Sequence, residues 1–358
     1  MKSICSKPLL LLVFIIATFS AQYASAFDRA VFDNLDYGIY WYQNKLTSQK
    51  AKPSVANPHY TNGQPTLIYI HGWQRDKTPL LYRETFDRQS ETGINQDLIA
   101  PWKQAGWNTG IFYWNQFGDE PDVKDAEAKI WSLNGPKKMR WRKADGSYVD
   151  SNIDQTAAQL FVASYKSALA GYTGNNIRLA GHSLGSQMVV VGTKLISDAI
   201  DRGEIPANLL PKRVVLLDPA FIGDARPYLN NDTTVELGHD FIDALKLKGV
   251  IFESLSTSAV SQDAAIKVVM NETAYRELKP WYFNGLDVVG KHMSAVWHYL
   301  WEYSIPPRPI TGTGSFAVSA SASNSAALGW MNSPLKMIHD QGAWTKTPGD
   351  DNYKQTNK

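Results

Sequence analysis

The chain predicts an α/β fold, a mostly parallel central sheet flanked by helices, and three observations predict it. From Pro65 onward, short apolar runs alternate with longer helical stretches, the pattern of parallel strands joined by crossover helices. The roughly 330 residues after an N-terminal leader, 44% hydrophobic over the whole chain, are ample for one large core. Residues 181–185 read Gly-His-Ser-Leu-Gly, between an apolar run at 177–180 and an amphipathic stretch that starts at Leu184. Two glycines suit a sharp strand-to-helix turn, where the backbones approach too closely for a Cβ and Ser183 projects above the sheet.

The first 26 residues carry Lys2 and Lys7, an apolar run over 8–19, and Ala24-Ser25-Ala26. This is the three-part layout of a cleaved secretory signal, so the mature chain is expected to begin at Phe27 and to be secreted, outside the cell or into a bacterial periplasm. An uncleaved anchor is the other reading, although the apolar run is short for a span of about 20 residues. No stable membrane span is expected after cleavage. Lys2 and Lys7 account for the formal charge of +2, so the remainder is near neutral and lacks the basic excess that a nucleic-acid partner requires. The only cysteine, Cys5, also lies in the leader, which leaves neither a disulfide nor a thiol nucleophile.

Residues 66–70 read as the first strand and 109–114 as the second, with a loop and helix region around 80–105 between them. The stretch 117–152 is charged, bears Trp131 and Trp141, and has turn signals at Asn134-Gly135-Pro136 and Asp145-Gly146, so it reads as a surface excursion. Its cluster of Lys137, Lys138, Arg140, Arg142 and Lys143 is a solvated face or, alternatively, a contact for anionic lipid headgroups. Ala157, Leu160 and Phe161, with Ser164 and Tyr165, place a helix over 154–169. Gly171 and Gly174 then lead into the strand before Ser183. Met188, Val191, Leu195, Ala199 and Ile200 form one face of the next helix, which ends at Gly203. A β-branched strand at 213–217 runs into Asp218-Pro219-Ala220, and a further strand is expected at 250–255. The organisation read from this pattern is a leader (1–26), one domain (27–310) and a Ser/Gly/Ala-rich polar tail (311–358).

A serine hydroxyl needs a base to become a nucleophile, and the base needs an orienting carboxylate. Asp218 directly follows a strand and so lies at the carboxyl end of the sheet, the edge that also holds Ser183 and where open α/β sheets put their sites. Its plainer reading is an Asp-Pro turn. A chain order of Ser, Asp, His leaves His239, His292, His298 and His339 as bases. His292 is preferred, because it follows Gly290 in a turn just ahead of the helical aromatic run 295–303; His298, inside that run, is second. A tetrahedral intermediate needs N–H donors for its oxyanion. Leu184 offers one at the start of a helix, where the dipole favours negative charge. Trp73 offers another, after a strand ending in His71-Gly72, although that dipeptide also suits an ordinary tight turn. The histidines are scattered and no H-E-x-x-H or cysteine pattern is present, so neither a metal nor a cofactor is expected.

His71-Gly72-Trp73, Gly181-His182-Ser183-Leu184-Gly185, Leu217-Asp218-Pro219-Ala220 and the run 292–304 together resemble the lipases of the pancreatic and lipoprotein lipase family, in the α/β-hydrolase fold. The resemblance spans roughly residues 65–305. It implies a serine hydrolase that cleaves carboxylic esters of glycerolipids, as a triacylglycerol lipase or phospholipase A1, at a lipid–water interface. It further implies Ser183 as nucleophile, Asp218 as acid, His292 as base, and Trp73 and Leu184 as oxyanion donors. The disulfide-fastened lid and C-terminal β-sandwich of the animal enzymes have no counterpart here, and any lid falls within 259–291. A soluble carboxylesterase or thioesterase of the same fold is an alternative, as is a non-catalytic lipid-binding relative. The intact set of Ser183, Asp218 and His292 argues against the last.

Overall fold

A computed structural model describes residues 27–358; the leader, 1–26, lies outside the described residues. Ten strands build one sheet: β1 (Gly38–Tyr42), β2 (Ser48–Lys50), β3 (Thr66–Ile70), β4 (Asn108–Tyr113), β5 (Ile177–His182), β6 (Arg213–Leu217), β7 (Ile251–Ser256), β8 (Ala274–Glu277), β9 (Leu335–His339) and β10 (Tyr353–Asn357). Their spatial order is β10-β9-β8-β7-β6-β5-β3-β4-β1-β2. All contacts from β4 across to β9 are parallel, while β1, β2 and β10 add antiparallel edges. The expected α/β class therefore holds. The central strands are apolar almost throughout because both faces are covered: every residue of β3, β5 and β6 is buried.

The helices that position the site are α1 (Val123–Trp131), α2 (Ala157–Ala168), α3 (Leu184–Asp201), α4 (Thr234–Leu247), α5 (Ala264–Asn271), α6 (Val288–Trp301) and α7 (Asn324–Met331). Helix α3 packs on β5 and β6 and lies between α2 and α4. Helix α2 starts at Ala157 because Thr156 and Gln159 cap its N-terminus reciprocally.

The region 80–105 is the expected loop and helix region, mostly irregular with short turns of helix at Gln89–Thr92 and Ala100–Gln104. Three expectations are corrected. Ahead of β3 lies the β1–β2 hairpin, which pairs with β4 through β1 and was not expected. Residues 117–152 are not a detached excursion: Glu120, Glu127 and Lys129 are buried, Lys129 Nζ sits 2.6 Å from Glu120, and Arg226 pairs with Glu127 at 2.8 Å. Arg140 and Arg142 turn inward to Glu120 and Asp119, so they are no free cationic face for headgroups.

The third correction concerns the polar tail. Residues from 311 onward supply α7, β9 and β10, and Ala317, Val318, Ser319 and Ala320 are buried. Arg178 donates to the Ala320 carbonyl at 2.7 Å, and Arg213 donates to those of Ser319 and Ala322 at 2.7 and 2.9 Å. Small side chains let this segment pass close enough to the sheet for its carbonyls to satisfy buried guanidinium groups. The span 259–291, expected to hold any lid, likewise contains α5 and β8, so part of it belongs to the central sheet.

Candidate active site

Ser183 sits between β5 and α3 with φ +57° and ψ −124°, a conformation that non-glycine residues hold only when their surroundings enforce it. A Cβ on Gly181 would fall 2.1 Å from the Gly185 oxygen, and one on Gly185 would fall 2.2 Å from the Ile70 oxygen. The turn is thus wedged against the end of β3. A Cβ on Gly72 would lie 2.7 Å from Ser183 Cβ, so the 71–73 turn meets the serine directly.

Sheet register brings the next partner alongside. His182 lies opposite Leu217 and Leu217 opposite Leu255, so Ser183 and Asp218 are the first residues past adjacent strands. Asp218 is fully buried. Its carboxylate accepts from the Thr257 and Ser258 backbone N–H groups at 2.6 and 3.0 Å, from the Ser258 and Ser261 hydroxyls, and from His292 Nδ1 at 2.6 Å. Burial alone would push this carboxyl up, but the bonds from His292, Ser258 and Ser261 outweigh it and hold the group below the usual carboxylate range. An anion is therefore fixed against one ring nitrogen of His292, leaving Nε2 as the other.

His292 is on the second turn of α6 rather than in a turn ahead of it. The helix starts early because the Asp287 carboxylate accepts from the Gly290 N–H at 2.7 Å. The His292 side chain is 15% exposed, while Asp218 is sealed. The other histidines are elsewhere. His239 is on α4 near Asp240 and Asp243. His298 and His339 are buried around Asp351, and the Tyr282 hydroxyl meets His298 Nε2 at 2.7 Å.

His71 Nδ1 donates to the Gly72 carbonyl at 2.9 Å, and its Nε2 accepts from the Trp114 N–H at 3.3 Å. Burial lowers this ring to about 4, so it stays neutral and keeps both roles. The Gly72 carbonyl and the Trp73 N–H share one planar peptide, so His71 sets that peptide's direction beside Ser183. The Trp73 indole is pinned separately, donating to the Glu120 carbonyl at 2.7 Å. Leu184 opens α3, where the first N–H groups have no intrahelical acceptor.

Ser258 and Ser261 are site residues that the sequence reading missed. Their signal was the polar run Ser256-Thr257-Ser258 at the carboxyl end of the strand after Asp218. Among the described residues, no group of three or more His, Cys, Asp or Glu side chains is placed to hold a metal ion, and no helix is long and apolar enough to cross a membrane.

The parallel sheet, the glycine-bounded turn at Ser183 and the Asp218–His292 pair on one edge define the α/β-hydrolase fold. The chain matches no protein-family model and no curated protein. Among solved structures it is similar to a prolyl endopeptidase (13% identity, TM-score 0.30), with 65% of this chain covered and 32% of that one. It therefore spans about a third of that protein's length. It is also similar to a poly(3-hydroxybutyrate) depolymerase from Bordetella parapertussis (13% identity, 59% and 63% covered, TM-score 0.31). A third likeness is to an esterase from Pyrobaculum calidifontis (15% identity, 68% and 77% covered, TM-score 0.30). Likenesses this distant identify no substrate.

Proposed function

We propose that this protein is a secreted serine hydrolase that cleaves carboxylic esters of lipids, of the triacylglycerol lipase or phospholipase A1 type. The observation that carries the reading is the 2.6 Å contact of His292 Nδ1 with the buried Asp218 carboxylate, at the edge where Ser183 tops a strained turn. Ser183 Oγ attacks the ester carbonyl while His292 Nε2 takes its proton, and Asp218 holds the resulting imidazolium. The N–H groups of Trp73 and Leu184 receive the oxyanion. His292 then protonates the departing alcohol, leaving an acyl-enzyme. Water, activated by the same ring, releases the acid and restores Ser183.

Lipid is favoured as substrate by the apolar residues that stand exposed near the His292 helix. Leu286 is 92% exposed, and Val289, Trp281 and Trp344 are also open to solvent. Such side chains suit contact with an apolar phase. The layout of residues 1–26 supports export.

The test is fluorophosphonate labelling of the wild type and of Ser183→Ala, with hydrolysis of triacylglycerol, phospholipid and a short soluble ester. Labelling and turnover confined to the wild type are expected, with lipid preferred above its critical micelle concentration. Unchanged hydrolysis by Ser183→Ala would overturn the nucleophile, and preference for the short ester would move the substrate to soluble esters.

A further inference from the structure

We infer that His182 is a positioning residue, which sets the distance between Ser183 and His292 by gripping the main chain of His292; the inference rests on the serine-hydrolase reading above. His182 ends β5 and is 2% exposed. Its Nε2 donates to the His292 carbonyl at 3.1 Å, and the two rings lie 4.4 Å apart, tilted by 42°.

The contact from Asp218 to Nδ1 directs the His292 ring but does not fix the backbone from which that ring hangs. The second attachment, at the His292 carbonyl, fixes that backbone by tying α6 to the strand that carries the nucleophile. Because His182 is the residue bonded to Ser183, nucleophile and base are linked through one peptide unit and one hydrogen bond. Such coupling keeps reacting groups within the few tenths of an ångström that proton transfer requires.

The donor is also held in one protonation state. A ring that donates through Nε2 to a carbonyl while neutral leaves Nδ1 bare, and His182 Nδ1 is buried without a hydrogen-bond partner. The charged or titratable groups acting on it are His292, Glu84, Asp218 and Arg88. Burial first, and then the charge on His292, lower the ring to about 3. It therefore adds no positive charge beside His292 when that ring takes the serine proton.

The test compares His182→Phe, which keeps a ring but no donor, with His182→Gln, whose amide nitrogen reaches the place of Nε2. The phenylalanine variant is expected to lose about tenfold in kcat with KM within about twofold, and the glutamine variant to recover most of it. Equal kcat for the wild type and His182→Phe, or no recovery in His182→Gln, would overturn the inference. Should the phenylalanine variant not fold, nitrogen-15 spectra of the wild-type imidazoles decide. A neutral His182 with a slowly exchanging Nε2–H from pH 8 to pH 5 is expected, and titration near its ordinary value would overturn the inference. If the wild type hydrolyses no ester at all, the serine-hydrolase reading fails. The same spectra, read for coupling between His182 Nε2 and the His292 carbonyl, still settle the grip.

Discussion

Acidification from pH 7 to pH 5 is expected to weaken the fold through two buried histidines. Burial holds His71 at about 4 and His182 at about 3, against an ordinary 6.5. Below 6.5 the unfolded chain takes up protons that the folded chain refuses. The stability contributed by each neutral ring is therefore complete above 6.5 and is lost as pH falls toward the folded values. At about 1.4 kcal/mol per pH unit, the fall from 6.5 to 5 costs about 2 kcal/mol at each ring. Together they cost about 4 kcal/mol of a total that is typically about 5–15 kcal/mol. Glu91, Glu127 and Glu302, whose carboxyls burial pushes up, work in the opposite direction. The histidine share is therefore isolated with a variant. His182→Gln removes one ring, so the stability gap between wild type and variant should close by about 2 kcal/mol between pH 7 and pH 5. Urea unfolding at pH 7, 6 and 5 measures the gap directly. A gap independent of pH would refute the claim that His182 is neutral in the fold and free to protonate outside it.

Ser183→Gly should abolish hydrolysis yet stabilise the protein by about 1 kcal/mol, because glycine holds the positive φ at no steric cost; a thermal melt that moves down would show the turn is not strained. Asp218→Asn should lower kcat by about 10³- to 10⁴-fold with little change in KM, as the carboxylate no longer fixes the imidazole or supports its charge. Loss below about tenfold in soluble-ester kinetics would remove Asp218 from the proposed triad. Truncation after Ile310 strips the Ser319, Ala320 and Ala322 carbonyls from Arg178 and Arg213 and lays bare the β8 edge. The shortened chain should show no cooperative unfolding by circular dichroism, and a normal transition would restore the reading of this segment as a polar tail outside the domain.

What was legible in the sequence is what short-range geometry dictates. The glycines at 181 and 185 mark a turn whose steric demand is local, and the structure meets it with Cβ clearances of 2.1 and 2.2 Å. Apolar runs announced β3, β4, β5, β6 and β7, because strands buried on both faces must be apolar along their length. Asp218 was legible as a strand end. Strand β9, next to the edge, and the small-residue segment at 317–322 were not, since one is half polar and the other is buried chiefly through its backbone. The charges of 117–152 misled for a related reason: Lys129 and Glu120 are buried only because each finds the other, and such pairing leaves no periodic trace.

Sequence alone therefore determined the turn at Ser183, which follows from contacts within a few residues, and the parallel class of the sheet with its carboxyl-end edge, which follow from the alternation of apolar runs with helical stretches. Tertiary structure decided which histidine meets Asp218, that Ser258 and Ser261 complete its hydrogen bonds, and that His182 reaches the carbonyl of His292. Residues 182 and 292 are 110 apart in the chain, and their meeting depends on where α6 docks against the sheet. That docking is fixed by packing and by partners such as the Arg276–Glu302 pair just past its end, a balance summed over many distant contacts that no local pattern encodes.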